Sequence, residues 1–267
     1  MTCLCTFLYS VHYGGNIMSH NSRKQKVPLK DICAVLCNYA RPKNARACVK
    51  RLLSLGITEV FVWNNGAKPI PEATYNIINS KNIGPYGKYL GAINTTKPYV
   101  LVIDDDYLLT KAGLDALRKW VLYYPAVAQQ GSRFKPPFTK YGKRDLYLSQ
   151  NLKVPKKVDM VMPNKGMMIK TTIYQLIPKH WAWEALKVLS KNIFTTDLSA
   201  SCAIWDLTKK NLAVVPVSKG YEIIRDEAPK KALKRQKNIY HEKSKILCWL
   251  VAHGWKLFNS RKLKSKK

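Results

Sequence analysis

The sequence predicts one α/β domain with a mixed, mostly parallel central sheet flanked by helices. Two observations carry that prediction. Short apolar runs alternate with segments of helical spacing through the first half of the chain. Polar clusters recur at the carboxyl ends of those runs, where open α/β sheets bind their ligands. A third observation bounds it: no stretch approaches 18 apolar residues, so no membrane span is expected.

The elements follow in order. "DICAVLC" (Asp31–Cys37) reads as a buried strand. In "RPKNARACVKRLLSLG", Ala45, Cys48, Val49, Leu52 and Leu53 recur at helical spacing, with Pro42 suited to the first turn and Gly56 to the C-terminal cap. "TEVFVWNNG" is a second strand ending in a turn at Asn64, Asn65 and Gly66. "PEATYNIINS" reads as a short helix. "NIGPYGKYLGAINTT" reads as a glycine-bearing loop that opens a helix. "YVLVI" is a third strand, closed by Asp104, Asp105 and Asp106. "TKAGLDALRKWVLYYP" returns to helical spacing through Leu114, Leu117 and Val121. Beyond Val127 the alternation fades into a further strand-and-helix region, Val158 to Ser218.

The domain is expected over residues 28–257. Residues 1–27 read as a flexible extension; Met18 opens an ordinary polar start, so the first 17 residues could belong to an over-long gene model. Residues 258–267 read as a basic tail. Seven cysteines without paired CxxC units argue against zinc and for reduced thiols in a cytoplasmic protein.

Charge narrows the partners. Against 46 Lys and Arg stand 16 Asp and Glu, a formal net charge of +30. Self-repulsion of this size is relieved by a polyanion such as nucleic acid or an anionic membrane surface. Gly131–Lys157 holds eight Lys or Arg and one acid, interleaved with Phe134, Phe138, Tyr141 and Tyr147. Cations can hold phosphates while aromatic rings stack on bases, so Arg133, Lys135, Lys140, Tyr141, Lys143 and Arg144 are candidate DNA-binding residues. An exposed basic hairpin with its own aromatic cluster is the structural alternative. The stretch from Lys230 to Lys267 adds thirteen Lys or Arg and one acid.

Three adjacent carboxylates at a strand end repel one another unless solvent, a cation cluster or a metal relieves them. On an extended backbone Asp104 and Asp106 point to one side and Asp105 to the other. A pair so spaced can hold Mg²⁺ or Mn²⁺, which also grips substrate phosphates.

These motifs resemble the GT-A (Rossmann-like) fold of nucleotide-sugar glycosyltransferases over roughly Asp31 to Trp120, with weaker echoes to Trp255. "ICAVLCNYARPKN" resembles the first strand and donor-base loop, which implies donor contacts at Asn38, Tyr39 and Arg41. "VFVWNNG" resembles the second strand, implying Asn64 and Asn65. Lys88 matches a basic residue that faces the diphosphate. "YVLVIDDD" resembles the DxD strand, implying Asp104 and Asp105 at the donor and Asp104 and Asp106 at the metal. "TTDLSAS" resembles the element supplying the catalytic base, Asp197, although Thr196 stands where an acid often precedes it. "YHEKSKILCWLVAHGW" resembles a segment whose histidine completes the metal site, here His241. The nearest subgroup is the phage and kinetoplastid enzymes, base J type, that glycosylate hydroxymethylated pyrimidines in DNA.

The resemblance implies Mn²⁺ or Mg²⁺, a nucleotide-sugar donor such as a UDP-sugar, modified duplex DNA as acceptor and a monomer. Asp197 could instead cap a helix, and His241 could be a surface histidine. A polysaccharide or protein acceptor is the alternative within the fold; a non-catalytic nucleic-acid binder is the alternative outside it. A nucleotidyltransferase would show a glycine-rich phosphate loop, and "NYARPKNAR" has no glycine.

Overall fold

The computed structural model describes residues 25–189, 195–224 and 238–260. The elements run β1 (Ile32–Asn38), α1 (Pro42–Ser54), β2 (Glu59–Asn65), β3 (Tyr75–Asn79), α2 (Gly87–Leu90), β4 (Tyr99–Val102), β5 (Tyr107–Leu109), α3 (Lys111–Trp120), β6 (Ala126–Ala128), β7 (Gln130–Phe134) and β8 (Arg144–Leu148). There follow β9 (Lys156–Val158), β10 (Met160–Val161), β11 (Met167–Lys170), α4 (Thr171–Tyr174), α5 (Glu184–Leu189), α6 (Thr196–Thr208), β12 (Leu212–Val214), β13 (Tyr221–Ile223) and α7 (Ile239–Ala252).

An eight-stranded sheet in the order β3-β2-β1-β4-β11-β6-β12-β9 forms the centre. Four neighbouring pairs are parallel: β2 with β3, β1 with β2, β1 with β4, and β6 with β12. β11 runs antiparallel between β4 and β6, and β9 antiparallel beside β12. The sheet is therefore mixed and mostly parallel, as the sequence predicts.

Strand alternation divides the core between the two faces of the sheet. Cys33 and Val35 of β1 join Val100 and Val102 of β4 in one cluster; Ile32, Ala34 and Leu36 join Leu101 and Ile103 in the other. Burial on both faces is why these strands read as unbroken apolar runs. α1 and α3 cover one face through Ala45, Cys48, Val49 and Leu52 and through Leu114 and Leu117. Leu53 is exposed and falls outside the stripe. α6 and α7 pack on the other face through residues such as Ala203, Ile204, Ile246 and Leu250.

The segment read as a short helix, "PEATYNIINS", contains strand β3 instead. Tyr75 and the two isoleucines favour extended backbone, and β2 offers an unpaired edge. Tyr75 stacks on Phe61 of β2 with ring centroids 4.6 Å apart. The side chain of Asn76 accepts from Ile70 N and donates to Ile70 O, both at 2.9 Å, closing the intervening loop.

The folded part begins before residue 28. Val27 N donates to Arg118 O at 3.2 Å, Arg118 Nε donates to Val27 O at 2.6 Å, and Lys26 pairs with Asp115. At the other end Asn259 donates to Phe134 O at 2.8 Å, and Arg133 lies 3.9 Å from the Phe258 ring, so residues 258–260 pack with the domain. Residues 1–24 of the extension expected over 1–27, and the terminal "RKLKSKK", lie outside the described residues. No helix among those described is long and apolar enough to cross a membrane.

Candidate active site

The chain leaves β1 toward β2 on one side and returns to β4 on the other, so the strand order reverses between β1 and β4. Such a switch point opens a crevice. Arg41, just beyond β1, and Asp104 and Asp106, just beyond β4, occupy its two lips. Ile103 N still donates to Val35 O at 3.1 Å, which carries the pairing of β4 with β1 up to the first aspartate. Beneath the loop, Cys48 of α1 donates its thiol to Tyr107 O at 3.2 Å.

Asp104 and Asp106 line a cleft of about 390 Å³. Asp105 turns away and is buried against Arg41, whose guanidinium pairs with it and also reaches Asp106 at 3.5 Å. Burial pushes Asp105 up to about 7 against the pull of Arg41, with Asp104 and Asp106 adding to the rise. Burial, then the neighbouring Asp104, pushes Asp106 up to about 6. One oxygen of Asp106, Oδ1, is buried and has no hydrogen-bond partner among the described residues.

Lys88 enters the cleft from α2. Its side chain is 2% exposed, and Nζ lies 2.6 Å from Asp104 Oδ1. Burial alone would lower this ammonium's pKa; Asp104 and then Asp197 outweigh it and hold the group protonated. Two features place so short a helix. A Cβ on Gly87 would stand 2.2 Å from the Trp63 ring, so only glycine lets α2 lie this close to β2. Tyr174 donates its hydroxyl to Lys88 O at 2.7 Å, fixing the backbone from the opposite side.

Asp197 reaches the same cleft from the first turn of α6, where the helix N-terminus favours an anion. It is not the cap; that position is Thr195. Burial raises its pKa, while Lys88 and Lys243 oppose the rise. Arg144 of the β7–β8 hairpin and Lys243 of α7 complete the lining charges. Both flank Tyr141, with Arg144 at 3.8 Å and Lys243 at 4.8 Å from the ring centroid. The cleft thus sets Arg41, Lys88, Arg144 and Lys243 around Asp104, Asp106 and Asp197.

Other predicted residues fall elsewhere. Asn38, Asn64 and Asn65 are buried and hold loops. Asn38 donates to Asn64 Oδ1 at 2.8 Å and to Lys68 O at 3.0 Å. Asn65 donates to Gly84 O at 2.9 Å and accepts from the Trp63 indole at 3.0 Å. None of the three lines the cleft; Tyr39, nearby, is exposed. His241 also needs correction: it lines a separate hollow beside the hairpin and is not brought to Asp104 and Asp106. The reason is helical phase. On α7, Ile239, Tyr240 and Lys243 face the cleft, and His241 sits about 150° from the middle of that face.

The basic segment divides as well. Arg144 and Tyr141 join the cleft, while Lys140 and Lys143 line the adjoining hollow. Lys135 pairs with Asp145 at 2.6 Å, and Arg133 donates to Lys157 O at 2.6 Å. Phe134 and Tyr141 are buried in the core, so their rings serve packing and leave no face open to a stacked base. Lys243 was not visible as a site residue in the sequence; its signal is the spacing from Ile239 to Ile246 that fixes the phase of α7.

The donor set suits a hard cation. Asp104 and Asp106 share one side of the cleft, and the buried, unpartnered Oδ1 of Asp106 is an oxygen ligand in want of a partner. No group of three or more His, Cys, Asp or Glu side chains able to hold a metal comes together among the described residues, so water or substrate would have to supply the remaining ligands.

Compared with known proteins, the chain matches no family model and has no significantly similar curated protein.

Proposed function

We propose that this chain is a metal-assisted glycosyltransferase of GT-A type that moves a sugar from a nucleotide sugar, such as a UDP-sugar, to a hydroxymethylated pyrimidine in DNA. One observation carries the reading: Asp104 and Asp106, at the switch point of the sheet, share a single cleft with Lys88 and with Asp197 from a distant helix. A proton acceptor and a cationic anion cradle in one cleft are the two things that sugar transfer requires.

The chemistry follows from the charges. The bond between the sugar's anomeric carbon and the donor diphosphate breaks, and its electron pair stays on the diphosphate. Arg41, Lys88, Arg144 and Lys243 provide positive charge for that leaving group in a partly buried setting, where electrostatic stabilisation is strongest. Asp104 and Asp106 would hold Mg²⁺ or Mn²⁺, which would supply further neutralisation of the diphosphate. The acceptor hydroxyl forms the new bond to the anomeric carbon and gives its proton to Asp197. Burial raises the basicity of that carboxylate, which brings it closer to the range useful for a general base near neutral pH.

DNA as acceptor rests on the net charge of +30 and on the basic hairpin that borders the cleft. The test is incubation with hydroxymethylpyrimidine DNA and a panel of nucleotide sugars, followed by nucleoside mass measurement. A hexose or pentose mass gain that disappears with Asp106→Ala supports the reading. Transfer to a carbohydrate or protein acceptor in place of DNA moves the assignment to that acceptor; nucleotide-sugar turnover unaffected by Asp106→Ala removes the metal site.

A further inference from the structure

The hollow that takes His241 away from the aspartates has a composition of its own. It lies between the tip of the β7–β8 hairpin and the outer stripe of α7, with a volume of about 1090 Å³. Lys140, Lys143 and Lys245 line it, and no acid among the described residues does. Lys245 pairs with Glu242 along its helix at 3.2 Å, and the one acid of the hairpin, Asp145, pairs with Lys135, away from Lys140 and Lys143. Between these cations the surface is apolar and aromatic. Trp249 is fixed by His253, stacked on it at 3.8 Å, and by Trp181 at 6.0 Å. Tyr240 is 57% exposed, an unusual position for so large a ring, and it lines both the hollow and the catalytic cleft.

We propose that this hollow docks the single-stranded part of the acceptor next to the reacting nucleotide, with phosphates on Lys140, Lys143 and Lys245 and a neighbouring base on Tyr240 and Trp249. The inference rests on the nucleic-acid reading of the acceptor and adds where the strand lies and how it reaches the carboxylates. Cations alone fit any polyanion. Cations around an exposed tyrosine ring and a half-buried tryptophan fit a polyanion that carries flat π faces, which is an unpaired nucleic-acid strand. The shared wall supplies the path: a strand lying in the hollow turns over Tyr240 to present the next base to Asp197. Chemistry on a base takes the reacting nucleotide out of the stack, which leaves its neighbour one stacking face that an aromatic side chain can cover.

Cys248 lines the hollow, its thiol donating to Thr139 O at 3.4 Å at the hairpin tip, and so reports on occupancy. The experiment measures alkylation of Cys248 by peptide mass spectrometry, in the full chain, with an unmodified single-stranded oligothymidine as probe. At ten times its Kd the probe should slow alkylation by about tenfold. Tyr240→Ala should weaken oligonucleotide binding by about 5- to 150-fold, the range for loss of one stacked base, and Tyr240→Phe should restore it. Lys140→Glu should lower affinity and flatten the salt dependence by about 0.7 in log-log slope. Full protection by an abasic strand of the same length overturns the stacking assignment. Protection by phosphatidylglycerol vesicles with none by oligothymidine overturns the proposal in favour of a lipid phosphate. Binding of oligothymidine that leaves Cys248 fully reactive overturns the location. None of these measurements needs sugar transfer: protection without glycosylation of DNA rejects the enzymatic reading and keeps the site, and glycosylation without protection does the reverse.

Discussion

Replacing the two partners of the Lys88–Asp104 pair one at a time should give unequal losses of stability, because the pair is unequally buried. The Lys88 side chain is 2% exposed and that of Asp104 34%. Asp104→Asn leaves an ammonium in the interior without the carboxylate that acts on it most strongly, Asp197 being the next largest influence. Removing one partner of a fully buried pair costs about 3–5 kcal/mol. Asp104 is a third exposed and Asp197 remains, so the expected loss is about 2 kcal/mol. For a domain of this size that is roughly 4–8 °C in Tm. Lys88→Met removes the buried charge and keeps the chain length; the carboxylate left behind turns to water. That variant should stay within about 1 kcal/mol of the parent.

The comparison belongs at pH 5 without divalent metal. There Asp106 and Asp105, raised to about 6 and about 7, are mainly protonated, so loss of the Asp104 charge brings little relief of repulsion. Urea unfolding followed by circular dichroism supplies the stabilities, and nucleotide-sugar turnover is measured separately, near neutral pH with Mg²⁺ or Mn²⁺ present. Both variants should lose turnover. A Lys88→Met protein that unfolds as early as Asp104→Asn would falsify the asymmetric burial of the pair.

Three further outcomes are expected. Gly87→Ala should cost about 1–3 kcal/mol by overpacking, because the new methyl meets a Trp63 ring pinned to Asn65; a urea midpoint equal to the parent's would show that the ring can move. Asp197→Asn should lower transfer by about 10²–10⁴-fold while leaving donor affinity nearly unchanged, and single-turnover rates beside a donor titration separate the two. Asp206 should sustain part of the acid stability. Burial acts to raise its pKa, but hydrogen bonds from Lys209, Trp181 and His180 prevail and hold it down at about 2. A carboxylate depressed in the folded state stabilises above its unfolded value and loses that contribution as pH falls from about 4 to about 2. Asp206→Asn should therefore flatten this part of the stability profile, and an unchanged acid limb counts against the network.

The first half of the fold was legible because local signals and tertiary demands coincide there. Residues of β1 and β4 are buried on both faces, so their apolar runs are unbroken. Pro42, Thr110 and Gly56 mark helix ends by local chemistry: Thr110 accepts from Gly113 N at 3.1 Å, and Gly56 takes a positive φ of 86°. The aspartates were visible for the same reason, since charge at the end of a buried run has to face something. β3 was not legible. One turn of helical spacing and one short strand look alike, and the unpaired edge of β2 made the choice.

The sequence by itself determined the alternation of strands and helices, the place of Asp104–Asp106 at a strand end and the excess of positive charge. These depend on composition and on periodicity along the chain, which need no knowledge of distant contacts. Only the tertiary structure decided which polar residues share a cleft. Asp197 joined Lys88 and Asp104 because α6 packs with its N-terminus toward the switch point. Lys243 replaced His241 because the apolar stripe Ile246, Leu247 and Leu250 locks the rotation of α7. Asn64 and Asn65 went to loop closure because buried amides must be hydrogen-bonded, and the nearest donors and acceptors were in the loops beside the strands they end; Asn38 joins them through its amide nitrogen alone, its Oδ1 staying buried without a partner among the described residues.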